Sequence, residues 1–300
     1  ARLLKEQSLE HTKGLPQSYE LTQTPFYPQK KYQCGPAALA TVLQESGIDI
    51  LPLELVPEIY IPARKGSLQI EILAASRRHG RIAYRSNPNL KSLFKEVTAG
   101  NPVLVLQNLG LSWAPTWHYA VVVGFDLAKQ KVILRSGTEE RHQTSLDTFE
   151  RTWARSKHWG IVVLPPNKLP ETAEAGRYIK TVAALEKINH WQDANIAYNT
   201  ALTRWSNNLI AQLGLGNSYY MLKDLPAAEQ AFRSAIITHP DSGIAYNNLA
   251  QVLLEQGEIT KAKTHVQRAI SLGGPQLKNF METLREINQR EKIKRQKVDN

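Results

Sequence analysis

The sequence is poor in cysteine, with Cys34 as the only one among 300 residues. A single thiol excludes an internal disulfide and any zinc site built from several cysteines. It does not decide the compartment, because one unpaired cysteine is compatible with the cytoplasm and with the cell envelope. Whether Cys34 is reactive or a small buried apolar residue therefore depends on its surroundings.

Long apolar runs are also missing. No run approaches the roughly 20 residues that span a bilayer, so we expect no transmembrane segment in this chain. The first residues, ARLLKEQSLEH, contain no long apolar segment either, so we expect any export signal to have been removed before this sequence begins. Hydrophobic residues make up 42% and charged residues 21%, which predicts folded globular domains.

Acidic residues are outnumbered, and the formal net charge is +10. Such a charge favours acidic partners, and a nucleic-acid binder is the function class that it raises. The basic residues are dispersed except in the C-terminal run REINQREKIKRQKVDN, which is typical of a solvated terminal helix. We therefore predict no nucleic-acid partner.

The pattern of apolar residues divides the chain into two halves. In the first half, the small-residue run that starts at Cys34 predicts a helix through Ser46, and a second helix is predicted from Leu68 to His79. Short runs rich in Val, Ile and Leu then predict four strands of one sheet, with a helix from Ser145 before the last strand. This order predicts an α+β domain, with strands over 102–109, 118–126, 131–137 and 159–165.

The second half repeats itself every 34 residues. Two alanine columns and a column of large apolar residues recur at that period in three units. Small residues where helices cross, with large ones filling the gaps, resemble a tetratricopeptide repeat array, here within about 177–273. A capping helix is expected in PQLKNFMETLREI. The columns are Ala194, Ala228 and Ala262; Ala201, Ala235 and Ala269; and Tyr198, Phe232 and Val266.

Repeat arrays of this kind bind a peptide or another protein, so a protein partner is predicted for the second half. Asn217, Asn247 and Asn248 are candidate groove residues, because side-chain amides donate and accept hydrogen bonds to an extended backbone. The alternative is that they cap helices or face solvent. The patterns together predict four segments: a leader over 1–23, the α+β domain over 24–166, a linker over 167–176, and an all-α repeat domain over 177–300.

Cys34 stands at the predicted first turn of its helix, where unpaired backbone N–H groups favour an anion by roughly 0.3–1 kcal/mol. That effect is too weak to identify a nucleophile, which also needs a nearby base. Among the eight histidines, His118 begins a strongly apolar strand, HYAVVVGF, after a loop with two tryptophans. From these residues alone, a buried structural cysteine and a structural histidine remain open alternatives.

A resemblance to a known family joins the two residues. The segments QKKYQCGPAALATVL and, about eighty residues later, WHYAVVVGFD resemble the papain-like cysteine peptidases of the bacteriocin-processing, or double-glycine leader peptidase, family in its stand-alone form. The resemblance covers about residues 24–165. It implies a papain-like α+β fold in which Cys34 attacks a peptide carbonyl, and His118 forms the ion pair and protonates the leaving amine. It implies no cofactor and no metal ion.

Two positions depart from the family's pattern. The oxyanion glutamine usually stands six residues before the cysteine, whereas Gln29 is five before it and Pro28 fills the expected position. Gln29 is nevertheless our candidate, in preference to Gln33. Relatives carry an aspartate on the strand after the histidine strand, but here the sequence is ILRSG. Ser136 is our candidate to orient His118, with another group, such as a main-chain carbonyl, or no third residue as the alternatives.

Trp113 and Trp117 are candidate walls of a narrow substrate cleft that admits small side chains, and packing of their loop over the sheet is the alternative. The resulting hypothesis is a cysteine peptidase whose repeats recruit the substrate or a partner. Its rival is a catalytically inactive papain-like pseudo-enzyme that holds a peptide as a scaffold, and acyl or amide transfer by the same thiolate is a further chemistry. The resemblance also implies a location in the bacterial cell envelope or periplasm.

Overall fold

The computed structural model describes residues 14–29, 33–111 and 113–298, except the side chains of residues 297 and 298. Contacts divide the chain into two units, residues 1–181 and 182–300. Most of the predicted leader, residues 1–13, lies outside the described residues. Across the described ranges, no helix has both the length and the apolar character that a bilayer span requires.

The first unit is an α+β domain, as predicted, built on a sheet of seven strands. Six strands follow the order β4-β9-β5-β6-β7-β8, and β1 pairs with β6. The four predicted strands all belong to this sheet, as β5, β6, β7 and β9. The elements are β1 Ser18–Glu20, α1 Cys34–Glu45, α2 Pro52–Ile59, β2 Tyr60–Ile61, β3 Gly66–Ser67, α3 Gln69–Arg78, β4 Ile82–Arg85, α4 Leu90–Thr98, β5 Val103–Asn108, β6 Trp117–Asp126, β7 Lys131–Ser136, β8 Glu139–Ser145, α5 Leu146–Ala154 and β9 Gly160–Leu164.

Helix α1 is the buried element that begins at Cys34. Every residue from 35 to 43 is buried, which is the pattern of a helix surrounded by protein rather than one with a solvent face. Leu39 and Leu43 share one core cluster with Val121 of the sheet. The helix ends where the Ser46 hydroxyl donates to the Leu43 carbonyl at 2.7 Å and Gly47 takes a φ of +89°. Packing therefore holds α1, and with it Cys34, against the sheet.

Strand β6 carries His118 near its start and lies inside the sheet. Its residues 119–125 are buried, and it pairs with β5, β7 and β1. Near its end a Cβ on Gly124 would lie 2.7 Å from the Tyr19 carbonyl oxygen, so the approach of β1 requires glycine there. Pairing with β7 begins only at Val121, opposite Arg135. The first residues of β6 therefore lie beyond the part of the strand that β7 covers.

Helices α2 and α4 and strands β1 to β4 were not predicted from the sequence, and neither was β8. Its residues, EERHQTS, are polar and mostly exposed, and β8 is the last strand in the order of the sheet. Strand prediction depends on apolar alternation, which an exposed edge strand need not show. Its polar side chains are therefore consistent with its position rather than exceptions to it.

The segment predicted as a linker, 167–176, is tied to the first unit by Glu96 of α4. The Glu96 side chain is fully buried. Its carboxylate accepts hydrogen bonds from the backbone N–H groups of Glu171 and Thr172, at 3.0 and 2.8 Å, and from the Asn101 amide at 2.8 Å. A buried carboxylate needs several such donors, and the segment supplies three of them, because the Thr172 hydroxyl also donates at 2.6 Å.

The second unit is all-α, as predicted, and its packing follows the 34-residue columns. All six column alanines are fully buried, and the three large residues between them are at most 2% exposed. The alanines lie on α7, α9 and α11, which alternate with the helices that precede each of them. Helix α6 spans the division between the two units. The bounds are α6 Ala175–Glu186, α7 Trp191–Arg204, α8 Leu209–Met221, α9 Leu225–Thr238, α10 Gly243–Glu255, α11 Ile259–Leu272 and α12 Leu277–Val298.

Gly214 of α8 allows the repeat packing to be tested. A Cβ there would lie 2.4 Å from the ring of Tyr198, which is 2% exposed. Gly214→Ala adds about 1 kcal/mol of helix propensity, but overpacking a filled core costs about 1–3 kcal/mol. We therefore expect a net loss of stability in urea unfolding of the full chain, followed by far-ultraviolet circular dichroism.

The matched control is Gly176→Ala in α6, where an added Cβ meets nothing within 4 Å. This variant should be as stable as the original protein or slightly more stable. Equal effects of the two substitutions would contradict the close crossing at Tyr198.

Candidate active site

A cleft of about 880 Å³ in the first unit brings together most of the residues predicted from the sequence. Its lining includes Cys34 from α1, Trp117 and His118 from β6, and Gln29 from the segment before α1. The start of β6 reaches the cleft because β7 does not cover it. A helix N-terminus and the start of a sheet strand thus meet at one concave surface.

Burial governs the protonation of Cys34. Desolvation raises the pKa of its thiol above the ordinary value, and backbone hydrogen bonds from Tyr119, Gly35 and Cys34 itself lower it by less. The N–H groups at the start of α1 do favour the anion, as the sequence predicts, but the loss of solvent outweighs them. The thiol form is therefore favoured in the free protein.

The first turn of α1 is tightly enclosed beside the thiol. A Cβ on Gly35 would lie 2.4 Å from the Ser67 Oγ of β3, so no larger residue fits at this position without a shift. The Ser67 carbonyl accepts a hydrogen bond from the Tyr119 hydroxyl at 3.3 Å. The Ser67 Oγ itself is buried and has no hydrogen-bond partner among the described residues. The cleft thus contains an unused hydroxyl next to the nucleophile candidate.

His118 is held by Ser136. The His118 Nε2 atom lies 2.8 Å from the Ser136 Oγ, which leaves Nδ1 as the nitrogen for proton exchange. Burial lowers the pKa of the imidazole, and the nearby His142 lowers it further. Cys34 and His118 are therefore both shifted towards their uncharged forms, and the free site favours a neutral thiol and a neutral imidazole over an ion pair.

In the ILRSG segment, Arg135 and Ser136 make different contacts. Of the two side chains, Ser136 is the one that contacts His118. Arg135 is 4% exposed and donates to the carbonyl oxygens of Thr24, Thr22 and Glu140, at 3.1, 3.1 and 2.8 Å. Arg135 therefore fastens the chain that precedes the cleft, and Ser136 is the residue of this segment that reaches His118.

Gln29 lines the same cleft as Cys34 and His118. Its backbone N–H donates to the Gly137 carbonyl at 2.8 Å, and its side-chain Nε2 donates to the Tyr119 carbonyl at 3.3 Å. A glutamine amide carries two N–H groups, and this contact uses one of them. The predicted donor therefore reaches the cleft despite its spacing of five residues from Cys34.

The two tryptophans differ in their positions. Trp117 lines the cleft and is 50% exposed, whereas Trp113 is 81% exposed and is not among the residues that line it. Their loop is organised by Asn108, whose Oδ1 accepts from the backbone N–H groups of Gly110 and Thr116, at 3.0 and 2.9 Å. The cleft therefore gains one tryptophan wall rather than two.

Tyr119 is the residue of this site that the sequence analysis missed. Its backbone contacts the Cys34 sulfur and the Gln29 amide, and its hydroxyl contacts Ser67. The only signal was its place directly after His118, inside an apolar run that reads as ordinary core. The carboxylate on the same strand, Asp126, lies at the far end of β6 from His118. It pairs with Lys129 at 3.2 Å, away from the cleft.

In the second unit, two of the predicted groove residues line one polar pocket of about 570 Å³. Asn247 and Asn248 belong to its lining, and the Asn248 Nδ2 donates to the Asn217 Oδ1 at 3.1 Å. Asn247 is 6% exposed, and its Oδ1 has no partner among the described residues. The pocket also includes Glu282 and Glu286. It thus combines amides, an unused acceptor and two carboxylates.

Two family models divide the chain in the same way as its fold. The model of the Peptidase_C39 like family matches residues 21–161, and a tetratricopeptide repeat model matches residues 182–242 and 226–276. The chain joins a C39-like peptidase domain to tetratricopeptide repeats. No curated protein matches the chain.

Solved structures resemble each part. A protein described as a candidate C39-like peptidase from Bacillus anthracis is 18% identical, with a TM-score of 0.43, over 50% of this chain and 98% of that one. The first tetratricopeptide domain of Spaghetti (RPAP3), bound to an HSP90 peptide, is 19% identical, with a TM-score of 0.36, over 38% and 90%. The TPR2B domain of yeast Sti1, in a pHsp70 complex, is 16% identical, with a TM-score of 0.37, over 39% and 97%.

The geometry of the C39-like domain supplies the parts that thiol chemistry on a carbonyl requires. Cys34 and His118 share a cleft, and the Nε2 atom of His118 is hydrogen-bonded to Ser136. Donors that can hold an oxyanion lie at the start of α1 and on Gln29. The partner of His118 is a neutral hydroxyl rather than a carboxylate. A neutral partner stabilises an imidazolium less, which agrees with the uncharged resting state.

We expect Ser136→Asp to activate Cys34 in this domain. A carboxylate beside Nε2 stabilises the imidazolium, and an opposite charge at this range shifts a pKa by about 1–3 units. The raised pKa of His118 favours proton transfer from Cys34, so more thiolate is present near neutral pH. Alkylation of Cys34 by iodoacetamide near pH 7 should be about tenfold faster than in the original protein, because only the thiolate reacts.

Two variants isolate the charge effect. Ser136→Asn has nearly the same size as the aspartate but no charge, and it should leave the alkylation rate close to that of the original protein. The double variant Ser136→Asp, His118→Ala should lose the acceleration. In the original protein the raised pKa of Cys34 requires the alkylation rate to keep rising above pH 8.5, the ordinary thiol value. An acceleration that survives the loss of His118 would contradict this account.

Proposed function

We propose that the chain is a cysteine peptidase that hydrolyses a peptide bond in a peptide or protein held in the cleft of its C39-like domain. The observation that carries this proposal is that Cys34, His118 and Gln29 line one cleft. The Ser136 hydroxyl is hydrogen-bonded to the Nε2 atom of His118. The match to the Peptidase_C39 like family supports the same reaction class.

The reaction starts from the neutral pair. His118 Nε2–H donates to Ser136, so Nδ1 is unprotonated and accepts the Cys34 proton as the sulfur attacks the carbonyl carbon. The electron pair of the carbonyl bond moves to its oxygen. The imidazolium then gives its proton to the leaving amine, which departs and leaves a thioester on Cys34. Water hydrolyses the thioester with Nδ1 as the base, and this step returns the thiol.

The oxyanion needs donors in place before it forms. The Cys34 backbone N–H and the Gln29 side-chain amide are the groups assigned to it, and loss of one such donor costs about 10²–10³ in rate. Binding of substrate also displaces water from the cleft, and the charge transfer from Cys34 to His118 then takes place against fixed dipoles. In this proposal the thiolate is generated during the reaction rather than stored in the free enzyme.

The repeats are proposed to recruit the substrate or a partner protein. The solved tetratricopeptide domains that resemble this one include one bound to an HSP90 peptide and one in a pHsp70 complex. In this chain, the Asn247 Oδ1 is a buried acceptor without a partner among the described residues, and Asn248 lies beside it in the same pocket. Such groups suit the backbone of an extended ligand.

The rival function is a peptide-holding pseudo-enzyme. Two observations favour it, namely the raised pKa of Cys34 and the neutral hydroxyl at His118. In that case the same cleft binds a peptide and the repeats act as a scaffold, but no acyl-enzyme forms.

A location in the bacterial envelope, inferred only from the family resemblance, stays a prediction that cell fractionation with an antibody against the chain can test.

Peptide cleavage tests the peptidase proposal. Full-length protein incubated with peptides that contain Gly-Gly or Gly-Ala should release fragments that mass spectrometry identifies. Cys34→Ala should abolish the release, because no nucleophile remains. Gln29→Ala should lower kcat by about 10²–10³ with a small effect on KM, because its donor acts mainly on the oxyanion.

The control is Asp126→Asn, at the end of β6 away from the cleft, which should leave the rate unchanged. The rival gives a different pattern. If the original protein and Cys34→Ala bind such peptides equally well, and neither releases fragments nor shows a covalent adduct, the pseudo-enzyme is correct and the peptidase proposal is wrong.

A further inference from the structure

The lining of the cleft carries one sign of charge. Arg64 and Lys65 contribute to it from the segment before β3, and Arg155 and Lys157 contribute from the turn after α5. None of the described residues that line the cleft carries a carboxylate. Two segments far apart in the chain therefore supply positive charge to the same concave surface, beside the candidate catalytic residues.

The two segments have specific backbone conformations at these positions. Lys65 and Lys157 have φ values of 49° and 57°, in the left-handed region that non-glycine residues rarely adopt. Residues held in such conformations are supported by the surrounding structure and cluster at functional sites. Glycine would adopt this conformation without strain, yet the chain has a lysine in both places.

Arg155 is fastened by main-chain groups. Its Nη1 donates to the carbonyl oxygens of Asn108 and Gly110, at 3.1 and 2.6 Å. These carbonyls belong to the loop that leads to Trp117, so the contact holds the guanidinium beside the cleft. It does so without a carboxylate, and the positive charge of Arg155 is left uncompensated.

Some cations elsewhere in the same domain are neutralised by carboxylates. Arg78 pairs with Glu58, Arg141 pairs with Glu20, and Arg151 pairs with Asp147, each at 2.8 Å. Among the described residues, Arg64, Arg155 and Lys157 have no such ion pair. Lys91 and Lys131 also lack an ion pair among the described residues, but the cleft differs in that it gathers three unpaired cations from two segments on one concave surface without a carboxylate.

We propose that the cleft selects peptides that carry aspartate or glutamate close to the bond to be cut. A concave surface of one charge concentrates the field and raises the local concentration of ligands of opposite charge. Carboxylates pair with arginine and lysine at this range, and they would approach Arg64, Arg155 and Lys157 from the bound peptide. This inference rests on the proposed function, since it names the substrate class of the same cleft.

The test uses the full-length Cys34→Ala protein, so that binding is measured without cleavage. Three labelled peptides share a Gly-Gly centre and differ only in the flanking residues, which are glutamate, glutamine or lysine. Fluorescence anisotropy should show the glutamate peptide binding about tenfold more tightly than the glutamine peptide at about 0.05 M salt. The difference should largely vanish near 0.5 M salt, because the ions screen exposed charges.

Charge reversals locate the effect. Lys157→Glu and Arg64→Glu should each weaken binding of the glutamate peptide several-fold and leave the glutamine peptide unchanged. The control is Lys168→Glu, an exposed lysine that does not line the cleft, which changes the net charge equally and should have little effect. Equal binding of the glutamate and glutamine peptides, or an equal loss in the Lys168→Glu protein, would overturn the proposal.

Two further measurements distinguish the acidic preference from the peptidase proposal and from binding to a membrane. If the glutamate peptide is preferred but the original protein cuts none of the peptides, the acidic preference stands and the peptidase proposal falls. If all three peptides are cut at equal rates, the peptidase proposal stands and the acidic preference falls. The second measurement is binding of the protein to vesicles that contain anionic lipid. Binding to them that depends on Lys157, without a preference among the peptides, would show that this charge serves a membrane surface and would overturn the proposal.

Discussion

The burial of the first turn of α1 against β3 and β6 is the constraint on which the site depends. The space next to Gly35 is so small that a side chain there would overlap Ser67. Tyr119 connects the same elements, through its backbone to Cys34 and through its hydroxyl to Ser67. This packing places the sulfur in the cleft and at the same time removes the water that would stabilise a thiolate. Position and protonation therefore follow from one cause.

In such a site, formation of the thiolate depends more strongly on the group that is hydrogen-bonded to His118. In a solvated cleft, the N–H groups at the start of a helix can hold much of the thiolate charge by themselves. Here they are outweighed by desolvation, and the imidazole is also shifted towards its neutral form. Ser136 fixes which nitrogen of His118 exchanges the proton but adds no charge. The neighbouring Arg135 guanidinium is engaged elsewhere, because it donates to the carbonyl oxygens of Thr22 and Thr24.

Sequence patterns predicted several features that depend on local periodicity, although α4 and β4 were missed. The alanine columns, the strands that carry Val and Ile, and the helix from Cys34 all rest on repeated apolar spacing, and each appears in the structure. Strand β8 has no apolar alternation because it lies at an edge, and the linker residues Glu171 and Thr172 are fixed by Glu96, which is distant in sequence. The protonation of Cys34 was equally out of reach, since desolvation depends on what three other elements place around the thiol.

The two units offer ligands different chemistry. The cleft of the C39-like domain is lined by cations, whereas the polar pocket of the repeats contains Glu282 and Glu286 beside its amides. A segment that suits one of these surfaces is therefore disfavoured at the other, because like charges repel at short range. Under the proposed function, a substrate that engages both surfaces would present different segments to them. Two modest preferences with opposite charge requirements would then give specificity without tight binding at either surface.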